Sequence, residues 1–127
     1  MRLFVVRHAE AAPGEPDELR PLTDAGRAAA RALAARLAQE DVELVLASPL
    51  LRARETAREI ARTAQAPLEV DDRLAPGATP DGIRAAVDGR GATVVAVGHQ
   101  PDCSEVVLAF TGRMERFEPA AFVEVEL

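Results

Sequence analysis

The sequence predicts an α/β protein, a three-layer α/β/α sandwich on a mostly parallel central sheet with an edge strand at the C-terminus. Three observations predict it. Strand-type and helix-type hydrophobic periods alternate along the chain. Residues 93–97 are apolar at nearly every position, as a strand must be when helices cover both its faces. Two β-branched runs, Phe4-Val5-Val6 and Val94-Val95-Ala96-Val97, each end two residues before a histidine, His8 and His99, and these are the only 2 histidines in 127 residues.

The elements follow in order. Residues 3–6 read as the first strand, and 11–22 as a loop because they carry Pro13, Gly14, Pro16 and Pro21. Thr23 offers an N-cap and Asp24 suits the positive end of the helix that runs to about residue 39, with Ala30, Leu33, Ala34 and Leu37 on one face. A second strand spans 42–47. Ser48-Pro49 reads as cap and first helical residue of a helix reaching about residue 64. A short strand at 67–70 precedes an Asp-, Pro- and Gly-rich loop, and Thr79-Pro80 repeats the cap-plus-proline start for a helix through residue 87. The fourth strand, at 93–97, leads into a helix at 101–110, and 121–125 closes the chain as a half-exposed edge strand. The length suits a single domain over residues 1–127.

In open α/β sheets ligands bind in the crevice beyond the carboxyl ends of the strands. If the two histidine-tipped runs are parallel neighbours, both imidazoles arrive there beside Arg7. A guanidinium at that spot suits an oxyanion and repels a cation, so we expect a phosphate site with no metal and no cofactor. Arg52, early in the second helix, can reach back over the same crevice. Positive neighbours disfavour the imidazolium and leave a nucleophilic nitrogen free at neutral pH. Glu10, Glu18, Asp72 and Asp102 read by default as solvated loop carboxylates.

A formal charge of −6 and a pI near 4.9 argue against a nucleic-acid partner. Cys103 is the sole cysteine, which rules out an internal disulfide. The opening residues are charged too early for a signal peptide, and no apolar run approaches the roughly 18 residues of a membrane helix, so the expectation is a cytoplasmic protein with no membrane partner. Other phosphate chemistries lack their residues. A cysteine-phosphatase loop needs arginine six positions after cysteine, where Ala109 stands, and a Walker loop needs a lysine, of which there is none.

Four blocks, Arg7-His8-Ala9-Glu10-Ala11, Arg20-Pro21-Leu22-Thr23-Asp24-Ala25-Gly26-Arg27, residues 48–56, and Gly98-His99-Gln100-Pro101, closely resemble the histidine phosphatase (phosphoglycerate mutase-like) superfamily and its small SixA-type phosphohistidine phosphatases. The resemblance implies that His8 is a nucleophile that becomes phosphorylated and that Arg7 and Arg52 bind the phosphoryl group. It also makes His99 the second pocket histidine, and the Gln100 N–H, expected to open a helix, joins the phosphate contacts.

The sequence departs from the superfamily in three places, and the last two inform the substrate. Ala9 replaces the usual glycine, a variant associated with the SixA-like branch. Arg73 stands where many relatives carry a glutamate acid, and there is no room for a long lid. An alkoxide leaving group needs an acid, since its parent alcohol has a pKa near that of water, about 15.7, whereas imidazole leaves with a conjugate-acid pKa of about 6.5. A lidless site also admits a histidine on another protein. The expected partner is therefore a phosphohistidine-bearing protein, such as a histidine phosphotransfer domain. A phosphatase for a small phosphorylated compound and a non-catalytic phosphate-binding module are the alternatives.

Overall fold

The computed structural model describes residues 1–127. Five strands, β1 (Arg2–Arg7), β2 (Leu44–Ala47), β3 (Leu68–Val70), β4 (Thr93–Gly98) and β5 (Phe122–Glu126), form one sheet in the order β3-β2-β4-β1-β5. All pairings are parallel except β1 with β5, so the edge strand that the sequence predicts at the C-terminus is the antiparallel one.

The period-two alternation of the central strands sorts their side chains into two cores. Leu3, Val5, Leu44, Leu46, Val94 and Ala96 face α3 (Pro80–Val87) and α4 (Asp102–Thr111), meeting Ile83, Val87, Val106 and Val107. Phe4, Val6, Val45, Ala47, Val95 and Val97 face α1 (Asp24–Leu37) and α2 (Leu51–Ala64), meeting Leu33, Leu37, Ala57 and Ile60. A strand covered on both sides has no polar face, which is why 93–97 carries none. At the β5 edge only Val125 is fully buried, while Glu124 and Glu126 are exposed.

Thr23 and Thr79 cap as expected, each hydroxyl accepting the N–H three residues on, from Gly26 at 2.9 Å and Gly82 at 3.0 Å. Ser48-Pro49 does not. Helix α2 begins at Leu51 with Leu50 at the N-cap and no side-chain cap, while the Ser48 hydroxyl, two residues earlier, accepts the Leu50 N–H and meets His99. Helix α1 ends at Leu37 and a 3-10 turn (Ala38–Glu40) follows, so β2 starts at Leu44 rather than at residue 42, although Val42 is still buried. Two more 3-10 turns, Asp17–Leu19 and Asp72–Leu74, lie in segments that read as plain loops.

Gly26 has a packing reason. A Cβ there would collide with the carbonyl oxygen of Glu10, so only glycine lets the first turn of α1 press against the loop that leaves β1. No helix is long and apolar enough to cross a membrane.

Candidate active site

The parallel register aligns three candidate site residues at the carboxyl end of the sheet. Arg7 pairs with Gly98 as the last register of β1 and β4, so His8 and His99 leave the sheet side by side. Ser48 leaves β2 on the far side of β4, its N–H donating to the Val97 carbonyl at 3.0 Å. The His8 N–H donates to the Gly98 carbonyl at 3.0 Å, and the two imidazoles meet edge-on with centroids 5.2 Å apart at 60°.

His8 has a fixed tautomer. Its Nδ1 lies 2.7 Å from the Ala9 carbonyl oxygen, which can only accept, so Nδ1 carries the proton and Nε2 keeps the lone pair. Burial pushes its pKa below the ordinary histidine value. The hydrogen bond to Ala9 opposes that shift, and the charges of Arg52, Arg7 and Arg20 reinforce it. The loop is pinned by the Ala9 N–H, which donates to Thr56 Oγ1 at 3.0 Å, while that hydroxyl donates to the Arg52 carbonyl at 2.8 Å.

His99 is only 4% exposed, and its pKa falls to about 4, first through burial and then through His8 and Arg52. Its Nε2 lies 2.7 Å from Ser48 Oγ, which also accepts the Leu50 N–H at 3.2 Å. Ser48 is fully buried and its own proton has no other acceptor, so the hydroxyl donates to Nε2 and the His99 proton sits on Nδ1. At neutral pH both imidazoles are uncharged, and the arginines supply the positive charge.

Arg52 is 8% exposed and turns toward the site from the first turn of α2. Its Nη1 donates to the Asp17 carbonyl at 2.9 Å and its Nη2 to Asp17 Oδ2 at 3.2 Å. Arg7 donates from Nη1 to the Phe117 carbonyl at 2.8 Å. Arg20, to which the sequence reading gave no role, donates to the Ala12 carbonyl at 2.9 Å and to Asp17 Oδ1 at 3.0 Å, and its charge acts on His8. The signal for it was its position in the Arg-Pro-Leu-Thr string. Asp17 carried no signal at all.

Across the chain, two buried side-chain nitrogens or oxygens lack a hydrogen-bond partner, Arg7 Nε and His99 Nδ1. Such orphans carry a desolvation cost that a bound polar group can remove. Here both are donors, on the residue preceding His8 and on the residue facing it.

The other named residues divide clearly. The Gln100 side chain is spent on α4, its Oε1 accepting the Ser104 N–H at 3.0 Å and its Nε2 donating to Ser104 Oγ at 2.8 Å. Its backbone N–H donates to no protein acceptor, but the helix opens at Asp102, two residues later than a helix-terminal role for Gln100 requires. Asp102 accepts the N–H groups of Gly77 and Ala78, and Glu10 accepts from the Thr23 hydroxyl, so both carboxylates hold partners away from the two imidazoles. Exposed Arg73 folds onto Asp71, with contacts of 3.0 and 2.8 Å. Cys103 is buried and its thiol pKa is pushed up to about 12 by that burial, leaving it unreactive.

Residues 3–76 match the family model described as "Histidine phosphatase superfamily (branch 1)", which is more than half of the chain. The chain belongs to the histidine phosphatase superfamily. Within it the chain is SixA-type. The protein histidine phosphatase SixA complexed with tungstate superposes with a TM-score of 0.89 at 30% identity, over 100% of this chain and 88% of that one. A candidate phosphohistidine phosphatase SixA from Agrobacterium tumefaciens gives a TM-score of 0.76 at 28% identity over 88% of this chain and 77% of that one. An uncharacterized protein of Picosynechococcus sp. (strain ATCC 27264 / PCC 7002 / PR-6) is 37% identical over 115 residues, covering 83% of this chain and 70% of that protein.

Proposed function

We propose that this superfamily member is a phosphatase acting on protein-bound phosphohistidine, with His8 as nucleophile. The observation that carries the reading is that the only buried orphan donors, Arg7 Nε and His99 Nδ1, belong to the residue before His8 and to the imidazole packed edge-on against it, while the His8 Nε2 lone pair is free. A phosphoryl group held there satisfies both donors with its oxygens, and Arg7 and Arg52 neutralise its charge. The Gln100 N–H is a further candidate donor to the same oxygens.

In the first step Nε2 of His8 attacks phosphorus in line. The bond from phosphorus to the substrate imidazole breaks, and that nitrogen takes up a proton from solvent. Water then attacks the phosphorylated His8, the phosphorus–nitrogen bond breaks with its electron pair returning to Nε2, and of the two water protons one stays on the released hydrogen phosphate and the other passes to solvent. Neither step generates an alkoxide. A site whose nearby carboxylates are engaged with Arg52, Arg20 and backbone N–H groups therefore suits this substrate better than a phosphate ester. This chemistry draws on the chain's own side chains and asks for no metal.

The test compares kcat/KM for a phosphorylated histidine phosphotransfer domain with kcat/KM for a panel of sugar phosphates. Preference for the phosphohistidine protein is expected. Preference for the esters would assign the same nucleophile to small-molecule substrates, and no phosphate release from either would leave a binding module.

A further inference from the structure

The arginines that face the proposed phosphoryl site are not idle. The Asp17 carboxylate bridges two of them, Oδ2 to Arg52 Nη2 at 3.2 Å and Oδ1 to Arg20 Nη1 at 3.0 Å. Arg52 and Arg20 are also two of the three cations whose charges act on His8, so the carboxylate occupies donors that an oxyanion beside His8 needs. The carboxylate itself is 60% exposed, on the short 3-10 turn that the proline-rich loop carries over the site. An exposed carboxylate held by hydrogen bonds to guanidinium is exchangeable against another anion.

We infer that Asp17 is an internal competitor for the oxyanion, a residue that sets how weakly the site holds free phosphate and similar small anions. The inference rests on the phosphoryl-site reading above. A phosphoryl group that enters must take Arg52 Nη2 from the carboxylate. The turn does not leave with it, because the Asp17 backbone carbonyl accepts from Arg52 Nη1 at 2.9 Å independently of the side chain. Once displaced, the carboxylate stands ready to retake the arginine, which speeds the departure of free phosphate after the phosphorylated His8 is hydrolysed. Small anions meet this competition with nothing else to hold them. A phosphohistidine on a protein brings additional contacts that offset it.

The experiment measures binding of tungstate by calorimetry to the wild-type protein, Asp17→Asn and Glu18→Gln, with circular dichroism confirming that each is folded. Asparagine keeps the shape and the backbone contact and removes the charge. Glu18 is an exposed neighbour without a hydrogen-bond partner, so its substitution removes the same charge from the same turn. Asp17→Asn is expected to tighten tungstate binding about fivefold or more and to lower the inhibition constant of inorganic phosphate by a similar factor, with Glu18→Gln within about twofold of wild type. Unchanged or weaker binding in Asp17→Asn would overturn the inference, the latter by showing that the carboxylate positions the arginines. Equal tightening in both variants would overturn it too, as a general charge effect. If folded wild-type protein and Asp17→Asn both ignored tungstate, the oxyanion site itself would fall, and this inference with it.

Discussion

The Ser48 hydroxyl, 2.7 Å from Nε2 of His99, decides which nitrogen of that imidazole carries the proton. Because the hydroxyl already accepts the Leu50 N–H and has no other acceptor for its own proton, it donates to Nε2. Both histidines are therefore expected as Nδ1–H tautomers at neutral pH, for different reasons: the Ala9 carbonyl in one case and Ser48 in the other. Two-bond 1H–15N correlations on histidine-labelled protein report this directly, with only two rings to assign. In Ser48→Ala, His99 should populate its Nε2–H form. An Nε2–H signal for His99 in the wild type would show the hydrogen bond running the other way.

The lowered histidine pKa values make folding stability depend on pH. His99 titrates at about 4 in the folded chain against an ordinary value of about 6.5. Between those values the unfolded chain holds a proton that the folded chain does not, so stability falls as the pH drops from 6.5 toward 4, and His8 acts in the same direction. The full contribution of His99 is about 3 kcal/mol. Urea unfolding across this window should show a steeper decline for wild type than for His99→Gln. Parallel curves would mean that His99 is not held neutral.

Removal of Arg52 tests the charge the site supplies. Arg52→Ala is expected to lower kcat/KM by about 10²–10³, the usual effect of deleting one preorganised donor to a developing oxyanion. Arg7→Ala should act similarly. Arg58→Ala, an exposed arginine on the same helix, should leave the rate within about twofold, since exposed surface charges contribute little. Equal losses at Arg52 and Arg58 would point to general electrostatics instead of a site.

Gly26→Ala is expected to destabilise the fold by about 1–3 kcal/mol, because the added methyl must push the Glu10 carbonyl away from the first turn of α1. Thermal unfolding measures this. An unchanged midpoint would show that the loop after β1 yields freely.

Most of the sheet and the histidine pair were legible because local rules carry them. Apolar runs fix the strands, and parallel neighbours deliver the residues after their last pair to one edge. Ser48 was misread for an equally local reason: serine before proline is a cap signal, and nothing nearby announces His99, 51 residues away in sequence. The Asp17–Arg52 contact spans 35 residues and depends on a 3-10 turn inside a proline-rich loop, where no hydrophobic period exists to read. Arg20 was visible as part of a motif string, but its role depends on that same turn. The Gln100 side chain gave no hint that it would be used up on Ser104.

The central claim is that Nε2 of His8 becomes covalently phosphorylated. Rapid acid-free quenching of the protein with a 32P-labelled phosphohistidine substrate, followed by peptide mapping, tests it most directly. We predict an acid-labile, alkali-stable label confined to His8 and absent from His8→Ala, which should also release no phosphate. A label on another residue, or turnover that survives in His8→Ala, would contradict the account.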